Sequence, residues 1–163
     1  IKAFSELKNK YDFKYILIGD GDQSFFLKSL VKHYQLENFV IFKGKIYDEK
    51  KLATYFLNSD CMIHPASVGL SLIHAFSYGL PIITHSNRMF HNPEFAAFKN
   101  NHTGFLFKMN DYKSLLKKIE KFFCNKNLTK KFKLNCYNIA KYKYNSYYMA
   151  QNFINLINQI KKI

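Results

Sequence analysis

Apolar runs of strand length alternate along this chain with segments whose apolar residues recur at helical spacing, the pattern of a parallel sheet wrapped by helices. The pattern predicts a helix near 1–10, a strand over 14–18, a helix from Gln23 to about Tyr34 and a strand over 39–42. A helix from Asp48 to about Leu57 follows, with Asp48 as its N-cap. Strands over 61–64 and 81–84 then flank a helix over 70–78, which Gly79 stops. A short strand over 103–107, a helix from about Asp111 to Phe123 and two helical stretches, about 127–141 and 146–162, close the chain. No repeat, linker tract or internal boundary interrupts this order. The expected fold is one α/β domain, a doubly wound parallel sheet of Rossmann-like form with C-terminal helices.

At 163 residues and 48% hydrophobic content, the chain is long enough to bury one proper core, and no apolar run is long enough to span a bilayer. The opening Ile1-Lys2-Ala3-Phe4 has no initiator Met, signal core or cleavage-like site, and reads as the interior of a longer protein. Cys61, Cys124 and Cys136 have neither disulfide-framework nor zinc-site spacing, which points to a reducing, cytoplasmic compartment. The net charge of +14 is uneven. Residues 1–98 hold eleven basic residues against nine acids, and residues 99–163 hold fourteen lysines against two acids. Such a basic third suits solvated helix faces, an anionic membrane surface or, least of all, nucleic acid.

Four places carry candidate chemistry. Ile16-Leu17-Ile18-Gly19-Asp20-Gly21-Asp22 is a strand running into a Gly-x-Gly turn, as in dinucleotide enzymes and methyltransferases. The third glycine is lacking, two aspartates would repel a pyrophosphate, and the next strand ends in the basic Lys43-Gly44-Lys45 where an acid would hold ribose. Those cofactors are therefore disfavoured. Gly44 lets backbone approach a ligand closely, and Lys45 sets a charge beside it. In Pro65-Ala66-Ser67-Val68-Gly69, small residues leave amides open just before a helix, where amides and helix dipole together favour an anion. His74 lies one turn beyond Leu70 on that helix, where a lone histidine is usually structural or solvated. The polar loop His85–Glu94 carries the only Arg of the chain, Arg88. A metal held by His85, His91 and Glu94 fits no helical ligand spacing.

Taken in order, Leu17-Ile18-Gly19-Asp20-Gly21, Val40–Ile46, Asp48–Phe56, Ser59–Pro65, Val68–Pro81, Pro93-Glu94 and Asn101–Phe107 resemble the nucleotide-binding C-terminal domain of GT-B glycosyltransferases. The resemblance covers about residues 1–120 and is to the family-4 type retaining enzymes, nearest a capsule or polysaccharide branch. It implies a donor-binding domain, with Gly19, Gly21, Gly44, Lys45, Ile46, Ser67, Val68, Gly69, Leu70 and His74 as donor residues. The base would lie against Gly44–Ile46 and the diphosphate on amides of Ser67–Leu70. Two glutamates eight positions apart in the family are here Ala66 and His74; His74 can still meet a ribose hydroxyl, and Glu94 is the carboxylate left to contact the sugar as candidate catalytic residue. The resemblance further implies a nucleotide-sugar donor as substrate, no cofactor or metal, a glycan or lipid-linked acceptor, and a cytoplasmic location with peripheral contact to the inner face of the membrane. Family members also carry an N-terminal acceptor domain and a strand with a basic pair, and this chain starts after both. The alternatives are a non-catalytic basic module on anionic membrane or nucleic acid, and an inactive truncated relic.

Overall fold

A computed structural model describes residues 1–161. Its order is α1 (Lys2–Leu7), β1 (Tyr15–Ile18), α2 (Ser24–His33), β2 (Val40–Gly44), α3 (Glu49–Leu57), β3 (Met62–His64) and α4 (Leu70–Ser77), then β4 (Ile82–His85), β5 (Gly104–Phe107), α5 (Tyr112–Phe123), α6 (Lys126–Lys143) and α7 (Ser146–Ile160). The elements match the expected ones within a few residues, except that the predicted end of the last helix at residue 162 lies outside the described residues. The polar loop after β4 also holds local structure that its sequence hides: two short 3₁₀ turns, Arg88–Phe90 and Pro93–Ala97.

Helix ends follow from local chemistry. Asp48 caps α3, its carboxylate accepting from the Lys50 and Lys51 N–H groups, and Asp111 caps α5 in the same way through Ser114 N–H. Gly79, at φ +65°, closes α4, with the Leu80 N–H reaching back to the Ala75 carbonyl at 2.9 Å.

β4 is the spine of the core, every residue of it buried. Ile83 packs with Phe105, Phe107 and the apolar sides of α1 and α5, while Ile82 packs with Leu72, Ala75 and Phe76 of α4 and Cys136 of α6. A strand covered on both faces is apolar at successive positions rather than alternating, as the sequence shows here. By contrast, α7 has no buried residue and exposes Phe153, Ile154, Leu156 and Ile160.

All strand pairs are parallel, but the sheet comes in two pieces, β1–β2 and β3–β4–β5. The expected doubly wound parallel sheet lacked one strand, and the break falls between these two pieces. Among the described residues no strand joins β1 to β3, so each has a ladder on one edge only. Between them lies a cavity of about 880 Å³, lined by Tyr15, Leu17, Cys61 and Ile63 along the strands, and by Phe122 and Phe56 from helices.

Candidate functional site

In a parallel sheet every strand ends at the same side, and the loops that follow share one edge. Here that edge gathers Gly19–Gln23 after β1, Lys45–Asp48 after β2, Pro65–Gly69 after β3 and Ser86–Asn92 after β4. Large apolar side chains stand exposed in these loops and the first turns after them: Phe25, Tyr47, Leu70, Met89 and Phe90.

The first two loops are tied to one another. Gly19, at φ +132°, donates its N–H to the Gly44 carbonyl at 2.8 Å, and Gly44 itself sits at φ +64°, so both need the backbone freedom of glycine. The Gly21 N–H is spent on the Asp20 carboxylate at 2.9 Å, which also accepts from the Ser24 hydroxyl. These bonds, then Lys45 and Lys28 nearby, hold the Asp20 carboxyl below the usual carboxylate range. The turn thus carries a fixed negative charge, with Lys45 exposed beside it.

The loop after β3 is different. No hydrogen bond to protein engages the N–H groups of Ser67, Gly69 or Leu70 among the described residues, and no side chain caps α4. Those are the open donors at the head of an eight-residue helix. Val68 is the exception within the predicted set: it is fully buried, and its N–H donates to His91 Nδ1 at 3.2 Å. Glu94 sits in the first turn of the second 3₁₀ segment, with one carboxylate oxygen, Oε2, buried and without a partner among the described residues.

His74 is engaged rather than free. Its Nε2 lies 2.8 Å from Glu49 Oε1, which also accepts from the Tyr78 hydroxyl at 2.5 Å, and Phe56 packs edge-on against both rings. The Tyr78 hydroxyl first, and His74 second, hold the Glu49 carboxyl below its ordinary range. A carboxylate therefore stands beside the His74 ring. Glu49 escaped the sequence reading because 25 positions separate it from His74, and only the α3–α4 packing joins them. His91 entered that reading only as a disfavoured metal ligand, for no sequence signal ties it to Val68.

The sequence of residues 1–139 matches the family model described as Glycosyl transferases group 1. This chain belongs to that family. Among relatives of this chain, Protein CapJ of Staphylococcus aureus is 37% identical over 87 residues, 51% of this chain and 22% of CapJ. The N-acetyl-alpha-D-glucosaminyl L-malate synthase of Bacillus anthracis is 31% identical over 114 residues, 68% of this chain and 28% of that enzyme. The matched segments thus cover roughly a quarter of the length of these relatives. Anabaena HepE in complex with UDP-glucose superposes with a TM-score of 0.77 at 20% identity, over 97% of this chain and 43% of HepE. The fold is that of a GT-B glycosyltransferase domain.

Proposed function

We propose that residues 1–163 form the donor-binding half of a retaining glycosyltransferase of the family-4 type, which moves a sugar from a nucleotide diphosphate to a glycan or lipid-linked acceptor. The observation that carries this reading is the set of unpartnered N–H groups at Ser67, Gly69 and Leu70 at the head of α4, opening on the edge where all the strand-following loops meet. The amides, the α4 dipole and Lys45 stabilise the charge that builds on the departing diphosphate, and no metal is invoked. Gly19, Gly21, Gly44 and Ile46 border the base and ribose. Glu94, half-buried in the loop after β4, contacts the donor sugar through its carboxylate. His74, with Glu49 and Tyr78 behind it, faces the ribose. The UDP-glucose bound to HepE supports a nucleotide-sugar substrate.

The two-piece sheet supports a companion proposal. A further parallel strand, from polypeptide outside residues 1–163, fills the cavity between β1 and β3 and pairs with both free edges, and an acceptor domain supplies the rest of the active site. A four-residue strand is about 13 Å long, the length of β1. The exposed lysine stripe Lys113, Lys117 and Lys121 on α5, together with exposed apolar side chains on α7, suits peripheral contact with the inner face of the membrane from a cytoplasmic location. No helix of the described residues is long and apolar enough to cross a membrane.

The test is a thermal-shift screen of the chain with UDP, GDP and their sugar conjugates, with His74→Ala beside it. Ligand at about a hundredfold over its Kd adds ~2.7 kcal/mol, which is a rise of several degrees for a domain of this size. A rise with one nucleotide, diminished in His74→Ala, is expected and names the base. No rise with any nucleotide, in this chain and in a form carrying the additional strand, would sink the reading.

A further inference from the structure

Val68 lies in the middle of the loop assigned to the diphosphate, and both of its backbone polar groups are taken by the segment leaving β4. Its N–H donates to His91 Nδ1 at 3.2 Å, and its carbonyl accepts from the Asn92 N–H at 3.0 Å. The other ring nitrogen of His91, Nε2, lies 2.9 Å from the His85 carbonyl oxygen. A carbonyl only accepts, so Nε2 carries the hydrogen, and Nδ1 is left with the lone pair that Val68 needs. The neutral Nε2–H tautomer is the one form of His91 that satisfies both bonds; a second proton would set N–H against N–H at Val68.

The ring has little freedom to turn away. It is stacked between His85 and Phe95, at 4.0 Å from each and within 16° and 17° of parallel. The next residue closes over the same loop: a Cβ on Gly69 would come within 2.7 Å of Asn92 Nδ2. Residues 91 and 92 therefore hold the β3–α4 loop at Val68, between the open amides of Ser67 and Gly69.

We propose that His91 is a positioning residue of the donor site, which in its neutral Nε2–H form staples the Pro65–Gly69 loop to the exit of β4 and so fixes the Ser67 and Gly69 N–H groups for the diphosphate. The inference rests on the donor reading above. The staple itself does not, since it is measurable without any nucleotide.

The experiment uses the full chain and two variants. His91→Phe keeps a ring between His85 and Phe95 but loses both hydrogen bonds. His91→Asn sets an amide oxygen close to the position of Nδ1. Amide hydrogen exchange without ligand should rise about tenfold or more at Val68 in His91→Phe, with Ile83 and Phe105 in the neighbouring strands unchanged. His91→Asn should hold Val68 near its original protection. UDP or GDP, whichever the chain binds, should then bind about tenfold more weakly to His91→Phe, with affinity restored in His91→Asn.

Equal Val68 exchange in the original chain and His91→Phe would overturn the staple. Faster exchange with unchanged nucleotide affinity would overturn the positioning role while leaving the donor reading intact. No binding of either nucleotide, by the original chain and by a form carrying the additional strand, would overturn the donor reading and the positioning role with it, and Val68 exchange would still decide the staple. Should His91→Phe fail to fold, His91→Asn decides: lost protection or lost affinity there overturns the proposal.

Discussion

Gly104 opens β5 at φ +154°, and a Cβ built on it would lie 1.8 Å from the carbonyl oxygen of Ile82. The obstacle is backbone of β4, buried on both faces, so nothing flexible can swing aside. Gly104→Ala must push β5 away from β4 where the Ile82 N–H meets the Thr103 carbonyl and Ile82 pairs with Gly104. Losing two or three ladder hydrogen bonds at about 1 kcal/mol each, with about 1–2 kcal/mol for a side chain at that φ, gives a cost of about 4 kcal/mol. For a domain of this size that is a fall in Tm of about 8–16 °C. Gly69→Ala is the control. Its Cβ would meet Asn92 Nδ2, the movable end of an exposed side chain, at 2.7 Å, and its φ −137°, ψ −131° adds a backbone cost of about 1–2 kcal/mol, still below that of Gly104→Ala. Calorimetry or circular dichroism melts of the two variants beside the original chain check the argument. A drop of under about 3 °C in Gly104→Ala would refute the rigid-backbone reasoning, as would a larger drop in Gly69→Ala than in Gly104→Ala.

Burial, with His91 and His64 close by, lowers the pKa of His85 below the ordinary histidine value. The unfolded chain then takes up that proton first, so this contribution to stability is full above the ordinary histidine range and falls as the pH drops below it. His85→Gln should flatten the acid side of Tm against pH below about pH 7, and a slope as steep as the original there would count against it. The Glu49 carboxyl, held low by Tyr78 and His74, contributes above the carboxylate range and loses its contribution as the pH falls through its lowered pKa. Glu49→Gln should remove that part of the acid limb. Of the three thiols, exposed Cys124 should alkylate first in the folded protein, since burial pushes Cys61 up to about 12 and raises Cys136 as well. Mass spectrometry of partly alkylated protein checks the order, and early label on Cys136 would refute its placement in the core.

The sequence by itself determined the element order, the parallel character of the sheet and the loop that presents free amides. Each of these is written locally: apolar runs mark β4, Asp48 and Asp111 cap their helices, Gly79 ends α4, and small residues open the turn before Leu70. It also carried the family, because the order and spacing of many short motifs survive along the chain. What it did not show was how residues far apart divide the hydrogen bonds of the site. That His74 meets Glu49 and Tyr78, that His91 takes the amide of Val68, and that Glu94 buries an oxygen without a partner all depend on packing between elements. The resemblance implied a missing strand, but the place of the gap, between β1 and β3, was not visible, since each strand reads as a buried run whether or not a neighbour lies on both its edges. Local pattern fixes which face of an element is apolar and where it ends; which polar groups meet is decided only when the elements close on one another, because a hydrogen bond depends on distance and direction and not on separation along the chain.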